Sequence, residues 1–293
     1  MLNTEQKQQF SREGFTLIKN VFTPEEIKNF RAAAYEAKTR ETQMGLLTGA
    51  GKLSVLTTDL LSNPGLNHLP FDPRILSIVR DIVGREQLVY FGESGLIIGT
   101  GSRGFHRDNA DRINPTAPDW SDPNYSVVKV GIYCQDNAKH SGGLKIRRGS
   151  HLVSDFIPGK NTDVVGKGSA YNIPNAPGDV AIWSLKTAHS ANFLRLKLLP
   201  NIALTPWLEW QLLKLPSFLR QPENGERIFL YSTYAAPDTS AQRYISYYLD
   251  RGDYHEHWRR SKYSQDLAQK AQQANVEFRR PIADYGSLFV QGS

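Results

Sequence analysis

A histidine and an aspartate two residues apart, His106 and Asp108, are the side chains of this sequence best suited to hold a metal ion. If the segment is extended, both side chains point to the same side, because side chains alternate along a strand with a period of two. An imidazole and a carboxylate on one face make two thirds of a facial metal site, whose third ligand comes from elsewhere. A His-x-Asp pair alone occurs often by chance, so this spacing needs support from the rest of the chain.

His189 is the best candidate for the third ligand. It follows a predicted tight turn and buried strand at 177–184, so it can meet ligands that a different strand carries. The alternative is a capped or core histidine, which is the commoner fate of a single histidine. The other histidines are less suitable: His255 and His257 point about 200° apart on a predicted helix, and the rest fall in loops or turns, namely His68, His140 and His151.

The composition is that of a globular chain of 293 residues, with 40% hydrophobic and 22% charged residues. The single cysteine, Cys134, excludes an internal disulfide framework and any cysteine-rich zinc or iron–sulfur site. The N-terminus lacks the apolar core of a signal peptide, and no apolar run approaches the ~18–20 residues of a membrane span. We therefore expect a cytoplasmic protein, either free or peripheral at the inner face of the membrane.

The charge balance favours anionic partners. The formal net charge is +6, from 35 basic and 29 acidic residues. Phosphorylated substrates, CoA thioesters or an anionic membrane surface all fit this balance, and it selects none of them. The sequence shows no helix-turn-helix, zinc-finger or RNP pattern, so we expect no nucleic-acid partner.

Helices are predicted on the N-terminal side of the candidate ligands. The patterns over 4–12 and 24–40 predict helices, the first capped by Thr4 and the second opening with a proline. A third helix is predicted at 72–84, because that stretch has a proline at its start and a glycine at its end. With their connecting loops these helices form a supporting region at 1–84.

The period of the pattern then changes from helical to extended. Short segments rich in β-branched or aromatic residues follow one another and are separated by Gly, Pro, Asn or Asp. They predict a mainly β fold with flanking helices, an antiparallel sandwich or jelly-roll core at 86–250. The predicted strands are 88–91, 96–99, 126–134, 144–146, 180–184 and 227–235.

An insert at 195–224 interrupts this rhythm. Six apolar residues are predicted to share one helical face, and between Arg195 and Arg220 the only acid is Glu209. A basic, Trp-bearing amphipathic segment can lie on a membrane surface, here through 200–220. Alternatively the insert caps the sheet or forms a subunit interface. We favour this second interpretation, because apolar stripes at helical spacing usually face protein. The six residues are Leu204, Trp207, Leu208, Leu215, Phe218 and Leu219.

The C-terminal region predicts one more helix, at 254–275, which is polar, net basic and solvated. No internal repeat and no linker of low complexity divides the chain. We therefore expect a single domain over 1–293, and the sequence does not predict its oligomeric state.

Several motifs occur in a fixed order around the candidate ligands: His106-x-Asp108, then Gly142-Gly143-Leu144 leading to Gly149-Ser150-His151, then Pro177-Gly178-Asp179-Val180, then His189. Ahead of them stand Phe10-x3-Gly14-Phe15 and Pro24-Glu25-Glu26-Ile27. In this order they resemble the phytanoyl-CoA dioxygenase family of non-haem Fe(II), 2-oxoglutarate-dependent oxygenases. The resemblance spans roughly residues 6–250, and ordered agreement of several motifs is far more specific than one His-x-Asp pair.

This resemblance implies a double-stranded β-helix in which His106, Asp108 and His189 hold the iron. Two neutral imidazoles and one carboxylate leave Fe(II) one net positive charge and three adjacent open positions. 2-Oxoglutarate can take two of these positions and O₂ the third. The cosubstrate is then oxidised to succinate and CO₂ while a nearby C–H bond of the substrate is hydroxylated.

The distal carboxylate of 2-oxoglutarate needs a cation, which the family supplies as an arginine shortly after the second histidine. This chain departs from that pattern, with Pro200 in that region. Arg227 matches the family position if 195–224 is an insertion, and we prefer it to Arg195, which precedes the insert. A guanidinium binds a carboxylate through two parallel hydrogen bonds. Either arginine can instead lie at a strand end and face water.

Lys129 is a charge within an otherwise apolar predicted strand. Such a lysine either belongs to an edge strand or points into the fold to meet an anion. Family strands at this place often carry a polar contact to 2-oxoglutarate. Lys129 is therefore a second, weaker candidate for binding the cosubstrate.

We expect a hydroxylase that uses Fe(II), 2-oxoglutarate and O₂ on an aliphatic carbon of an anionic substrate, such as a lipid-linked compound or glycolipid. The same chemistry on a small soluble specialised metabolite is the alternative. Rivals from other classes are a non-catalytic ligand-binding jelly roll with a degenerate site, and a cupin-like isomerase or metal hydrolase. The presence of all three ligand candidates argues against a degenerate site, whereas the displaced arginine keeps it open.

Overall fold

The structure is a computed structural model, and it describes residues 1–46, 54–56, 58–99, 104–112, 114, 116–154, 169–191, 193–214, 216–222, 226–251 and 259–279. Its helices are α1 (Thr4–Glu13), α2 (Pro24–Gln43), α3 (Pro73–Val83), α4 (Pro118–Ser121), α5 (Pro206–Leu212), α6 (Thr239–Leu249) and α7 (Leu267–Gln273). Its strands are β1 (Phe15–Ile18), β2 (Ser54–Val55), β3 (Leu88–Ile98), β4 (Val128–Tyr133), β5 (Lys145–Arg147), β6 (Ala170–Asn172), β7 (Val180–Ser184), β8 (His189–Ser190), β9 (Ile228–Ala235) and β10 (Val276–Phe278).

The strands form two sheets. The larger has the order β1-β7-β4-β9-β3-β10, with β2 also paired to β3, and the smaller has the order β6-β5-β8. All of these pairs are antiparallel except β10 with β3. The predicted mainly antiparallel architecture with several helices is therefore confirmed. Among the described helices, none combines the length and apolarity that crossing a bilayer requires.

Strand β4 shows which side chains lie on each face of the larger sheet. Val130 and Ile132 join the core cluster that also contains buried residues of α2 and α3. Tyr133 points to the other face, where it belongs to a second cluster with Trp183 of β7 and Ile146 of the smaller sheet. This alternation places one layer of side chains between the two sheets, and the candidate ligands lie at its margin.

The first helix begins at Thr4, as predicted, but the capping residue is different. Asn3, rather than Thr4, is the N-cap: its side chain accepts a hydrogen bond from the Gln6 amide at 2.8 Å, and the Gln6 side chain accepts one from the Asn3 amide. This reciprocal pair satisfies two donors at once and so fixes the start of the helix. The predicted helices at 24–40 and 72–84 are confirmed as α2 and α3, to within three residues at their ends.

The predicted strands 88–91 and 96–99 form one strand, β3. Its register against β9 shifts between Tyr90 and Ser94, and Gly92 there has φ 67°. The glycine that resembled a turn in the sequence allows a bulge instead, since a positive φ is open to glycine. Strands β6, β8 and β10, each of two or three residues, were not predicted from the sequence.

The predicted C-terminal helix at 254–275 is wrong over 261–266, which is not helical. Tertiary hydrogen bonds explain this: the Ser261 hydroxyl accepts from the Asp59 amide at 2.8 Å, and the Tyr263 hydroxyl donates to the Asp59 carboxylate at 3.0 Å. Helix α7 covers the last part of the range, and it buries Leu267 and Ala271 rather than remaining wholly solvated. His255 and His257 lie outside the described residues.

The insert does not form the single helical face predicted from its sequence. Helix α5 begins at Pro206 and ends at Leu212, and a separate 3-10 turn covers Ser217–Leu219. Pro216 explains the break, because proline has no amide hydrogen to continue the helix. Leu204 is buried whereas Trp207 is 66% exposed, and Leu215 lies outside the described residues.

A buried ion pair fastens the insert to the smaller sheet. Lys145 of β5 and Glu209 of α5 are both fully buried, and Lys145 Nζ lies 3.0 Å from Glu209 Oε1. The ammonium also donates to the Leu204 carbonyl at 2.8 Å, and Glu209 accepts from the Leu194 amide at 2.8 Å. The helix is thus anchored by a charged contact rather than by apolar packing.

Lys145→Met is expected to lower the free energy of unfolding by about 3 kcal/mol, because it leaves a buried carboxylate without its cation. Adding Glu209→Leu should recover most of that loss, since the unpaired charge is then gone. Urea unfolding measures both variants, with Lys28→Met as the control for an exposed pair worth under about 1 kcal/mol. If Lys145→Met is as stable as the Lys28→Met control, the ion pair between Lys145 and Glu209 is wrongly assigned.

Candidate metal centre and its pocket

His106 and His189 are neighbours because the chain around His106 runs beside β8. The two residues form an isolated antiparallel bridge, with amide-to-carbonyl distances of 2.9 Å in both directions. The Asp108 amide continues the pairing by donating to the Leu185 carbonyl at 3.1 Å. The segment is therefore extended at this point, as expected from the His-x-Asp spacing, although 101–103 lie outside the described residues.

The three side chains converge. His106 Nε2 lies 3.7 Å from Asp108 Oδ1, and His189 Nε2 lies 3.5 Å from Asp108 Oδ2. One ligand atom from each of the three residues lies within 4.8 Å of the others. In the described part of the chain, no other group of His, Cys, Asp or Glu meets this criterion. Their arrangement fits one metal ion held on one side by two nitrogens and an oxygen.

In each imidazole, Nε2 faces Asp108 and the other nitrogen, Nδ1, makes a hydrogen bond that sets the tautomer. His189 Nδ1 lies 3.0 Å from the Thr187 carbonyl, and His106 Nδ1 lies 3.3 Å from the Gly104 carbonyl. A carbonyl can only accept, so each Nδ1 carries the proton and each Nε2 presents a lone pair toward Asp108. Such outer partners are characteristic of histidines that bind metals.

The protonation states also suit metal binding. Burial and the nearby His106 lower the pKa of His189 to about 3, so this imidazole is neutral at physiological pH. Burial of the Asp108 carboxyl opposes its charge, but Lys129 and the two imidazoles outweigh burial and hold its pKa below the usual range. The set therefore includes a neutral imidazole from His189 and a carboxylate from Asp108.

Lys129 lies behind the carboxylate of the triad. Its ammonium is 2.7 Å from Asp108 Oδ2 and 3.1 Å from Glu93 Oε1. Glu93, from β3, is almost fully buried and accepts a hydrogen bond from the Tyr244 hydroxyl at 2.9 Å. A hydrogen bond and two ion pairs thus connect Tyr244 of α6, through Glu93 and Lys129, to Asp108. Sequence analysis missed Glu93, because nothing local distinguishes it from an exposed strand carboxylate.

The triad opens into a cavity of about 280 Å³ between the two sheets. Its wall includes four aromatic residues, and it also contains the predicted cosubstrate residues Lys129 and Arg227. Arg195, the alternative to Arg227, does not line this cavity. The aromatic residues of the wall are Tyr133, Trp183, Phe229 and Tyr231.

Arg227 is a buried cation without a carboxylate partner in the described part of the chain. It is 2% exposed, its Nη1 donates weakly to the Gly99 carbonyl at 3.3 Å, and its Nε has no hydrogen-bond partner. Trp183 Nε1, in the same wall, has no partner either. The guanidinium does lie against the rings of Tyr133 and Phe229, 5.5 and 5.3 Å from their centroids. Ring faces compensate a buried charge only in part, so this end of the cavity is suited to receive an anion.

A family model decides the relationship of this chain. The model for phytanoyl-CoA dioxygenase (PhyH) matches residues 10–193, which is more than half of the chain and includes all three triad residues. The chain belongs to the PhyH family. The predicted resemblance is thereby confirmed, whereas Arg227 lies beyond the matched range and rests on the geometry of the cavity.

Curated relatives of this PhyH protein include ectoine dioxygenases. The one from Bordetella parapertussis is 26% identical over 156 residues, which is 51% of this chain and 50% of that protein. The one from Nocardia farcinica is 25% identical over 165 residues, 54% of this chain and 53% of that protein. The chain thus spans about half the length of the curated relatives it matches.

Solved structures share the fold at lower identity. The non-heme alpha-ketoglutarate-dependent carbocyclase SnoK has a TM-score of 0.57 and 18% identity, covering 81% of this chain and 85% of its own. HygX from Streptomyces hygroscopicus, solved with nickel and 2-oxoglutarate bound, has a TM-score of 0.53 and 18% identity over 81% of this chain and 88% of its own. At these identities the likeness concerns the fold alone.

The residues that flank the triad in sequence do not enter the cavity of this PhyH member. Arg107 is buried and donates to the carbonyls of Lys186 at 2.8 Å and Ser150 at 3.0 Å. Asn109 is fully buried and donates to the Asp119 carboxylate at 3.2 Å. Both residues therefore hold the ligand segment against its neighbours.

Proposed function

We propose that this protein is an Fe(II)- and 2-oxoglutarate-dependent dioxygenase that hydroxylates an aliphatic C–H bond. One observation carries the proposal: two imidazoles and a carboxylate converge at a cavity that also holds a buried arginine with no carboxylate partner among the described residues. The triad is the donor set of a non-haem iron site, and the arginine is suited to a dicarboxylate cosubstrate. A degenerate binding protein has no need of both features.

In this proposal His106, Asp108 and His189 hold the iron, because their free Nε2 atoms and carboxylate oxygens face one another. The bound metal and 2-oxoglutarate supply an oxidation that releases succinate and CO₂ and places oxygen on the substrate. The chain itself orients the ligands through its outer hydrogen bonds, as Thr187 does for His189. It also surrounds the reaction with aromatic side chains that exclude water.

We also propose that the two sheets constitute the double-stranded β-helix expected from the family resemblance. The bridge between His106 and His189 extends the smaller sheet by one more extended segment. The smaller sheet then contacts the larger one across the aromatic cluster around Trp183. This arrangement would put the ligands on one sheet and Arg227 on the other, with the cavity between them, within a single domain over 1–293.

Arg227→Ala is expected to raise the 2-oxoglutarate dissociation constant by roughly 10–100-fold, because charged hydrogen bonds to the distal carboxylate are lost. Iron binding should be unchanged, since Arg227 does not touch the triad. Calorimetric titration of 2-oxoglutarate, without O₂ and with Fe(II) present, measures the effect. Arg195→Ala is the matched control. If Arg195→Ala weakens 2-oxoglutarate binding and Arg227→Ala does not, the assignment of Arg227 as the binding residue is wrong.

Lys129 contributes to this function by positioning Asp108. Its ammonium already lies between two carboxylates, so it can reach the cosubstrate only at the expense of those contacts. We therefore propose Arg227 as the main binding residue of 2-oxoglutarate. The earlier expectation that Lys129 binds 2-oxoglutarate stays a prediction that the same titration tests in Lys129→Met.

We propose an anionic substrate of lipid-linked or glycolipid type. The support is the net charge of +6 together with the aromatic cavity wall. The cavity's cations have other roles, Arg227 for the cosubstrate and Lys129 for Asp108. The substrate's own anionic group would then bind outside the cavity while its carbon chain enters.

A small soluble metabolite is the second candidate, and the ectoine dioxygenase relatives favour it. Succinate release in the presence of candidate substrates distinguishes the two, because the correct substrate accelerates turnover of 2-oxoglutarate. Stimulation by dispersed anionic glycolipids supports the first class. Stimulation by ectoine, with none by lipid, overturns it.

A further inference from the structure

Helix α5 in the insert has the reverse of the usual orientation, because it buries its acidic residue and exposes its tryptophans. Its acidic residue, Glu209, faces the protein and is fully buried, whereas Trp207 and Trp210 are 66% and 58% exposed. At about 100° per residue both tryptophans lie on the side opposite Glu209, and Lys214 follows just after the end of the helix. A helix on a protein surface normally buries its apolar side and exposes its charges. Here the buried ion pair with Lys145 holds the apolar side outward.

The outward tryptophans are part of a larger apolar surface. Thirteen large hydrophobic side chains are exposed in the described part of the chain, and seven of them lie between 198 and 218. This stretch is held together by backbone pairing, because Lys197 donates to the Leu219 carbonyl at 3.1 Å and Gln221 to the Arg195 carbonyl at 2.8 Å. A concentration of this kind indicates an interaction surface rather than scattered exposure.

The charge around this surface is of one sign. Lys197 and Lys214 are exposed, Arg220 is half-buried, and the only acid between Arg195 and Arg220 is Glu209, which is buried against Lys145. Lys214 Nζ lies 3.6 Å from the Trp210 ring centroid. The described residues between Arg195 and Arg220 therefore offer tryptophans and lysines together, without an exposed carboxylate.

We propose that this surface docks on a membrane with anionic phospholipid headgroups. Tryptophan and lysine side chains are the pair that anchors proteins at the water–lipid boundary, with the ring at headgroup level and the ammonium beside the phosphates. A protein partner, including a second copy of this chain, fits less well, because lysine is depleted from protein interfaces. The cationic rim complements a negative surface.

The insert lies next to the cavity along the chain. Ala191, shortly before it, and Arg227, shortly after it, both line the cavity. A membrane bound by the insert would therefore lie beside the segment that joins these two parts of the cavity wall. The inference goes beyond the oxygenase proposal and does not depend on it, because it rests only on the outer face of the insert.

Co-sedimentation with vesicles tests the proposal. The wild-type chain should bind phosphatidylcholine vesicles that contain phosphatidylserine, bind vesicles of phosphatidylcholine alone much more weakly, and release the anionic vesicles in high salt. Trp207→Ser/Trp210→Ser should weaken binding at least about tenfold through lost apolar burial, and Lys214→Glu should weaken it on anionic vesicles only. Both changes are on exposed side chains, so the melting temperature should not change.

Matched controls replace exposed residues elsewhere. Met44→Ser/Leu249→Ser removes two other exposed hydrophobic side chains, and Lys28→Glu reverses another exposed lysine; neither should affect binding. Absence of binding to anionic vesicles overturns the proposal, as does binding that the Trp207/Trp210 variant leaves intact. Self-association that this variant abolishes, without vesicle binding, assigns the surface to a second copy and also overturns it. Vesicle binding by a chain that forms no succinate leaves the proposal standing and removes only the oxygenase function.

Discussion

His106→Ala is expected to abolish Fe(II) binding and, with it, all turnover of 2-oxoglutarate. The side chain supplies one of only three protein ligands, so its loss should cost more than the roughly 10–100-fold that removal of an outer partner costs. His106 is also half exposed, so the substitution leaves no cavity in the core. The expected variant is folded and unable to hold iron.

Calorimetric titration of the metal-free protein with Fe(II), without O₂, measures this loss. His68→Ala is the matched control, since it removes an exposed histidine far along the chain from the triad. The control should bind one Fe(II) per chain as the wild type does, and both variants should keep the wild-type melting temperature without metal. Iron binding by His106→Ala at wild-type affinity contradicts the proposed ligand set.

Lys129→Met is expected to destabilise the metal-free protein by about 3–5 kcal/mol. The substitution leaves Asp108 and Glu93 facing each other without the cation between them, and Glu93 is almost fully buried. Fe(II) should restore a larger share of stability to this variant than to the wild type, because the metal supplies positive charge to Asp108. Urea unfolding with and without Fe(II) measures both effects.

Two further variants separate charge from packing at Lys129. Lys129→Arg keeps the cation and should lose much less stability, whereas Lys129→Met/Glu93→Gln removes a buried negative charge and should recover part of the loss. Equal stability of Lys129→Met and the wild type, in the absence of metal, contradicts the positioning role.

The same contact predicts a pH dependence. The folded pKa of Asp108 lies below its unfolded value, so this carboxylate stabilises the metal-free protein fully above the unfolded pKa of about 3.9. Its contribution is lost as the pH falls through the lower folded pKa. Lys129→Met removes the main cause of the shift, so its stability should fall less steeply than that of the wild type on acidification.

Sequence analysis was effective where the signal is local. The His-x-Asp spacing, the proline and glycine at the ends of α3, and the strand at 180–184 each depend on neighbouring residues. The meeting of His106 with His189 is not local. The position of His189 after a strand made it the best candidate for a third ligand, and the order of motifs, which resembles a known family, favoured this over the commoner core histidine. Arg227 depended on treating 195–224 as an insertion.

The remaining features depend on tertiary register and could not be predicted in this way. Lys129 and Glu93 come from strands that pair with β9 on opposite sides, so only the complete sheet brings them together. For the insert, the sequence left the membrane-facing alternative open but favoured an apolar face turned toward protein, for a different reason. Hydrophobic periodicity assumes that apolar side chains face inward, and here a buried ion pair reverses the helix.

Succinate formation from 2-oxoglutarate, with Fe(II) and ascorbate in air, tests the central claim most directly. The account predicts that the wild-type chain forms succinate, that removal of iron stops the reaction, and that His106→Ala forms none while His68→Ala matches the wild type. A wild-type chain that forms no succinate and binds neither Fe(II) nor 2-oxoglutarate would contradict it.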